Sequence, residues 1–189
     1  MTELDDEMFE EFFVPPHVGE AAPEFMALQS YHQGEFKKIS LSDYAGKWLV
    51  LFFYPRDFTF ICPTEIQEFG KHYEDFKALG CEVLAASTDS EYVHKAWFET
   101  DERLTGTPYP IIADTTQELA EAYDVLDIDG SAQRGTFVID PEGVVRYILI
   151  SADSVGRNVK EMLRVVEALQ TGERCPATWE KGGKTLGKA

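Results

Sequence analysis

Three cysteines, Cys62, Cys81 and Cys175, are the residues of this chain best suited to covalent chemistry. An odd number cannot all pair within one molecule, and in a reducing compartment thiols serve redox or nucleophilic work rather than structural crosslinks. A thiol attacks as its thiolate, and a free cysteine titrates near about 8.5, so a nucleophilic cysteine needs surroundings that favour the anion. Pro63 suits the first position of a helix, which sets Cys62 beside unpaired backbone N–H groups and the positive end of the helix dipole. By position alone the same sulfur reads equally well as a small core residue on an apolar helical face. Around it, Pro55-Arg-Asp-Phe-Thr59-Phe-Ile-Cys62-Pro63-Thr64-Glu65 crowds a proline, a hydroxyl and a carboxylate against one helix entrance. Thr59 also reads as a helix cap, and Glu65 as an ordinary first-turn carboxylate facing the dipole.

Hydrophobic periodicity locates the elements that must hold these groups. The unbroken run Trp48–Tyr54 reads as a strand buried on both faces, the central one of its sheet, and Pro55 ends it. Beyond a short loop, Cys62, Ile66, Phe69, Tyr73 and Phe76 recur at intervals of four and three, the apolar face of one helix finishing at Gly80. A strand over Glu82–Ser87, a helix from Glu91 to about Arg103 and a short strand over Tyr109–Ala113 follow. This alternation implies parallel crossover connections, with functional groups gathered beyond the carboxyl ends of the strands, where Thr59 and Cys62 lie. Thr116–Tyr123 reads as helix, and Gly135–Ile139 and Val144–Ile150 flank the turn Asp140-Pro-Glu-Gly143, an antiparallel hairpin that makes the sheet mixed. A helix from about Asn158 to Gln170 ends near Gly172 and leaves a polar tail in which Cys175 precedes Pro176. The expected fold class is α/β, a thioredoxin-like arrangement with a mixed central β-sheet flanked by helices. The expected domain spans residues 17–171, between a C-terminal tail, 172–189, and an acidic N-terminal tail, 1–16. In the latter, the stripe Met8, Phe9, Phe12, Phe13 reads as a short amphipathic helix covering apolar surface.

A chain of 189 residues, 44% apolar and 13% aromatic, can bury one core. Its net charge of −17 repels nucleic acid and anionic membrane surfaces, so neither is expected as a partner. The acidic start has no basic leader, and no apolar run approaches the roughly 18 residues of a membrane span, so the expected location is the cytoplasm. His17, His32, His72 and His94 lie far apart, and neither CxxC nor HExxH occurs, so neither a metal nor another cofactor is expected.

The stretch Pro55–Glu65 resembles the peroxiredoxin signature, a proline, then a threonine four positions on, then a cysteine three further on. The resemblance runs from about Gly19 to Leu186 and includes Tyr92-Val-His-Lys-Ala-Trp97, Gln133-Arg-Gly-Thr-Phe-Val-Ile-Asp140 and Gly172-Glu-Arg-Cys-Pro-Ala-Thr-Trp179. Within the typical two-cysteine branch, the chain looks most like the bacterial alkyl hydroperoxide reductase C group. The resemblance implies a thiol peroxidase that converts hydrogen peroxide and organic hydroperoxides to water and alcohols. It makes Cys62 the attacking thiol, Thr59 and Arg134 the groups that hold the peroxide oxygens, Pro55 a shield, and Glu65 and Arg157 residues that orient the set. Sequence position alone reads Arg134 and Arg157 as surface ion-pair partners.

Attack on peroxide leaves a sulfenic acid that a second thiol must trap before further oxidation. Cys81 opens a buried strand and reads as core, whereas Cys175 lies in a polar tail that can move. The resemblance agrees, because Glu173-Arg-Cys175-Pro-Ala matches the resolving segment of the family. It implies an intersubunit Cys62–Cys175 disulfide in a homodimer, rings of such dimers (ten subunits in many relatives), and recycling by thioredoxin or a flavoprotein disulfide reductase. A buried Cys62 requires the first helical turn to unwind before the sulfurs meet.

A disulfide reductase of the thioredoxin kind places a second cysteine where this chain has Glu65. A non-enzymatic alternative, a ring-forming chaperone or scaffold, is compatible with the acidic surface. Two departures from peroxide-sensitive relatives stand out. Leu104-Thr-Gly-Thr-Pro-Tyr109 replaces their Gly-Gly-Leu-Gly loop, and the sequence stops at Ala189 without their added Tyr-Phe helix. With less material holding the active-site helix folded, disulfide formation is expected to outpace overoxidation. Mass spectrometry after turnover at modest peroxide should find little Cys62 sulfinic acid, and extensive sulfinylation would contradict the reading.

Overall fold

The computed structural model describes residues 14–188, so the stripe Met8, Phe9, Phe12, Phe13 lies outside the described residues. In chain order the elements are β1 (Leu28–His32), β2 (Glu35–Ile39), β3 (Trp48–Phe53), α1 (Cys62–Lys71), α2 (Tyr73–Ala78), β4 (Cys81–Ser87), α3 (Glu91–Thr100), β5 (Ile111–Ala113), α4 (Glu118–Ala122), β6 (Arg134–Ile139), β7 (Val145–Ser151) and α5 (Val159–Gln170). None of the described helices is long and apolar enough to cross a membrane.

The strands form one sheet in the order β2-β1-β5-β4-β3-β6-β7. β3, β4 and β5 run parallel, and the remaining pairings are antiparallel, giving the mixed thioredoxin-like sheet that the periodicity implies. β3 lies beside the middle strand β4 rather than at the middle itself. Its alternation serves two cores. Val50 and Phe52 pack with Ile66, Phe69 and Met162 beneath α1 and α5, while Leu49, Leu51 and Phe53 pack with Leu119, Tyr123 and Phe137 on the other face. Burial on both faces of the sheet is what makes the run 48–54 almost wholly apolar.

Four differences from the periodicity are local. The helix expected from Cys62 to Gly80 breaks at His72 (φ −100°, ψ 9°), two residues after the poor helix former Gly70. The apolar face survives the break, with Phe69 and Phe76 stacked 6.0 Å apart. α3 stops at Thr100 because the Asp101 carboxylate accepts from the Arg103 backbone N–H (3.0 Å) and Nε (2.9 Å), a local alternative to helical bonding. β5 shrinks to Ile111–Ala113 because Pro110 has no N–H to offer the sheet, although its carbonyl accepts from Ala85 (3.2 Å). The hairpin β1–β2, which the hydrophobic pattern does not reveal, turns through Gln33 (φ 48°) and Gly34 (φ 89°), both left-handed as a two-residue primed turn requires.

Gly135, the second residue of β6, has no room for a side chain: a Cβ there would lie 2.7 Å from Val125 Cγ1 and 3.1 Å from Phe137 Cε2. Overpacking of this kind costs about 1–3 kcal/mol. Gly135→Ala is therefore expected to lower the unfolding free energy by about that amount, read as a shifted urea midpoint with an unchanged slope.

Candidate active site

α1 begins at Cys62, with Ile61 as its N-cap and Pro63 as its second residue, so the helix starts one position earlier than a Pro63 in first place implies. The cysteine is 1% exposed, and its Sγ accepts from Arg134 Nη1 at 3.4 Å. Arg134 opens β6, which pairs antiparallel with β3, so the sheet carries the guanidinium to the mouth of α1. The same Nη1 donates to Glu65 Oε2 (2.7 Å), while Nε and Nη2 donate to the backbone carbonyl (2.8 Å) and Oδ1 (3.0 Å) of Asp153.

Glu65 stands three residues after Cys62, on the same face of the first turn. Its carboxylate also accepts from Arg157 through the backbone N–H, Nε and Nη2, each at 2.8 Å. Arg157 in turn donates from Nη1 to the carbonyls of Phe53 (2.8 Å) and Gly135 (3.0 Å), and its guanidinium lies 4.9 Å over the Phe52 ring. Burial works against the Glu65 charge, but the bonds from Arg157, aided by Arg134, prevail and hold the carboxyl below its ordinary range. Burial likewise works against the Arg134 charge. The contact with Cys62 and the Glu65 carboxylate outweigh it, and the guanidinium is held above its ordinary value. Arg134 and Arg157 are thus buried parts of one charged cluster, not surface ion-pair partners.

Cys62 and Arg134 line a cleft of 680 Å³ whose walls include Pro55, Thr59, Phe60 and Ile150. Thr59 does not cap the helix. Its hydroxyl donates to the Arg56 carbonyl (2.9 Å) in the loop between β3 and α1. The cleft brings together the thiol, a guanidinium and a hydroxyl, with a helix N-terminus behind the sulfur. The guanidinium and the helix N-terminus favour negative charge on sulfur and on an oxygen expelled from a bond that breaks beside it.

A model of the AhpC/TSA family matches residues 18–148. The chain belongs to this family of peroxiredoxins. Peroxiredoxin-2 of Cricetulus griseus is 49% identical to it over 178 residues, covering 90% of this chain and 89% of that protein. Alkyl hydroperoxide reductase C of Mycolicibacterium smegmatis is 47% identical over 151 residues, covering 80% and 77%. The crystal structure of the reduced two-cysteine peroxiredoxin of Plasmodium vivax superposes with a TM-score of 0.87 at 34% identity, covering 90% of this chain and 93% of that one. The enzyme is a peroxiredoxin, a thiol-dependent peroxidase with a thioredoxin-like fold.

All three cysteines of this peroxiredoxin are free thiols, in three different settings. Cys81 is wholly buried at the start of β4, and burial, helped by the neighbouring Glu82 charge, pushes its thiol up to about 12, which suits core packing rather than reactivity. Cys175 is half-buried beyond the C-terminal end of α5, with Sγ 3.5 Å from Thr171 Oγ1 and 3.7 Å from the Ala168 carbonyl. Cys62 belongs with Arg157 at the opposite end of that helix, whose 12 residues span about 18 Å. A disulfide needs Cα atoms within about 7 Å, so the two cannot join in this conformation. Nor is the tail around Cys175 loose. Arg174 and Leu186 bond back to Gly187 and Arg174 (2.9 and 2.8 Å), and buried Trp179 donates from Nε1 to the Gly183 carbonyl (3.0 Å).

A second polar cluster escapes the sequence reading. His94 Nδ1 lies 2.7 Å from Asp57 Oδ2, His94 Nε2 lies 3.2 Å from the Ile112 carbonyl, and Tyr54 donates to Asp57 Oδ1 at 2.7 Å, all buried. Burial pushes the Asp57 carboxyl up, and the bonds from His94 and Tyr54 oppose that rise. The cluster anchors the loop that leads from β3 to Cys62. One signal was available: His94 shares a helical face with Trp97 and Phe98, and a polar group on a buried face demands partners.

Because Glu65 is held below its ordinary value of 4.5, its contribution to stability is fully present above that pH and drains away as pH falls through the lower folded value. Glu65→Gln is expected to cost about 3–5 kcal/mol at neutral pH, the penalty of breaking a buried pair. The gap between the wild type and this variant in urea unfolding should narrow as pH drops below 4.5; a gap independent of pH would refute the charged cluster.

Proposed function

We propose that this peroxidase works through a Cys62 sulfenic acid, resolved as an intersubunit Cys62–Cys175 disulfide and recycled by thioredoxin or a flavoprotein disulfide reductase. The observation that carries the first step is the 3.4 Å contact between Cys62 Sγ and Arg134 at the cleft. The thiolate attacks the nearer peroxide oxygen, the O–O bond breaks, and the farther oxygen leaves with the electron pair and takes a proton, giving Cys62–SOH and water or an alcohol. Arg134 has five N–H groups, of which four serve Cys62, Glu65 and the two Asp153 acceptors, so one Nη2–H remains for the oxidant. The Thr59 proton is committed to the Arg56 carbonyl, so its oxygen receives the peroxide O–H instead. Pro55, without an N–H, contributes a wall of the cleft.

Sheet edges support resolution between chains. The β2 edge carries Glu35, Lys37 and Lys38, which discourage pairing, whereas the β7 edge, Val145-Arg-Tyr-Ile-Leu-Ile-Ser151, is mostly apolar. Ile150 and Ser151 at the end of β7 line the Cys62 cleft, and Tyr147 nearer its start lines the depression around Cys175. Two-fold antiparallel pairing through β7 sets the Cys175 end of one chain against the Cys62 end of the other. The sulfenic acid and the partner thiol then form a disulfide and release water, after the first turn of α1 and the tail open locally. Further assembly of dimers into rings, and action in a reducing cytoplasm where the free thiols persist, complete the reading.

A non-reducing gel after one equivalent of peroxide tests it. A covalent dimer is expected in the wild type and in Cys81→Ser, and none in Cys62→Ser or Cys175→Ser. A dimer that survives Cys175→Ser removes the assigned resolving thiol, and one that survives Cys62→Ser removes the assigned attacking thiol.

A further inference from the structure

We propose that the exposed Asp127 carboxylate at the rim of the Cys62 cleft, whose cations are already matched by Asp129 and Asp153, makes the enzyme select uncharged hydroperoxides over anionic ones. This rests on the peroxidase reading above and adds to it a charge filter at the entrance.

The cations of the cleft lie beneath or against its anions. The Arg134 side chain is 3% exposed, while that of Asp153, bonded to it from the solvent side, is 81% exposed. Arg56 is paired with Asp129 at 3.1 Å, so it offers no uncompensated charge. Hydrogen bonds from Ser131, reinforced by Arg56, lower the Asp129 carboxyl to about 2, which keeps it ionised throughout the physiological range. Asp127 is exposed and accepts from the Ile128 backbone N–H at 2.7 Å, with no basic partner among the described residues. Beneath the cleft Glu65 is shared by two guanidiniums, and Asp153 meets one of them from the solvent side, so Glu65, Arg134, Arg157 and Asp153 together sum to zero. What remains for an incoming oxidant to meet is the uncompensated Asp127 carboxylate at the rim.

The walls sharpen this field. Phe60, 91% exposed, and Ile150 flank the entrance, and a low-dielectric wall confines field lines to the opening. The same surfaces suit an alkyl body, and 680 Å³ leaves ample space for one beyond the peroxide group. The net charge of −17 adds a diffuse repulsion, screened within about 10 Å at 0.1 M salt, whereas the rim acts at contact range. A hydroperoxide with a carboxylate on its body therefore enters less readily than its ester.

The test compares a carboxylate-bearing alkyl hydroperoxide with its own methyl ester, so that only charge differs. Single-turnover rates of Cys62 oxidation are measured at about 20 mM and about 300 mM salt, with hydrogen peroxide as reference. In the wild type the acid-to-ester rate ratio is expected below one at low salt, rising as salt is added. Asp127→Asn should raise the low-salt ratio about two- to threefold and leave the hydrogen peroxide rate unchanged. Glu74→Gln, which removes one exposed charge from α2 outside the cleft, should leave the ratio as it is. Equal ratios in the wild type and Asp127→Asn, equal effects of Asp127→Asn and Glu74→Gln, or loss of hydrogen peroxide turnover in Asp127→Asn would each overturn the filter while leaving the peroxidase intact. A wild type that consumes no hydrogen peroxide would instead overturn the peroxidase reading, and the filter with it.

Discussion

One carboxylate, Glu65, clamped between two buried guanidiniums, is the constraint on which the site depends. Three ionised groups in a protein interior carry a large desolvation cost, offset only if nearly every polar atom finds a partner. Here Arg157 meets that condition with Glu65 and with backbone carbonyls at the ends of β3 and β6, and Arg134 meets it with Glu65, Asp153 and Cys62. The cluster therefore ties the first turn of α1, the start of β6 and the segment before α5 into one unit. The electrostatic setting of Cys62 is a property of this tertiary assembly, with the helix terminus as one contributor.

The same linkage separates two demands on the sulfur in time. In the folded site it faces Arg134 from a buried position; the disulfide proposed with a thiol of another chain requires it to leave that position. Because Glu65 stands only three residues on, opening the first turn also disturbs the carboxylate that positions both guanidiniums. In the proposed cycle, a sulfur set up to meet an oxidant is thereby withheld from exchange, and one released for exchange has lost its contact with Arg134. The His94–Asp57–Tyr54 cluster holds the other side of this hinge, the loop from β3 to α1, which also contains Phe58 in the left-handed region at φ 55°.

Legibility in the sequence followed the range of the determining interactions. β3, β4, β6, β7 and α5 could be read because burial imposes an unbroken apolar run, a turn signal or a capped amphipathic period on each. The β1–β2 hairpin was hidden because its second strand is almost entirely exposed and carries little hydrophobic pattern. The break at His72 was hidden because the apolar register continues through it. Around the site, Cys62, Thr59 and Glu65 form a local pattern, but the burial of Arg134 and Arg157 is decided by segments 69 or more residues away from Glu65, which local spacing does not encode. The tail looked polar and free, yet the bond between Leu186 and Arg174 closes it on itself, and buried Trp179, whose carbonyl accepts from Arg164 Nη1 (3.1 Å), seats it against α5.

The sheet has two unlike borders, one lined with charge and one nearly bare of it. If the proposed two-fold pairing sets that bare margin against its own copy, the margin is consumed in the act of joining. Strand-by-strand extension then halts at a pair, both outer limits being the repelling kind. Under the proposed pairing any larger assembly must use other faces of the molecule, so the proposed antiparallel strand contact would not double as a nucleus for open-ended fibres.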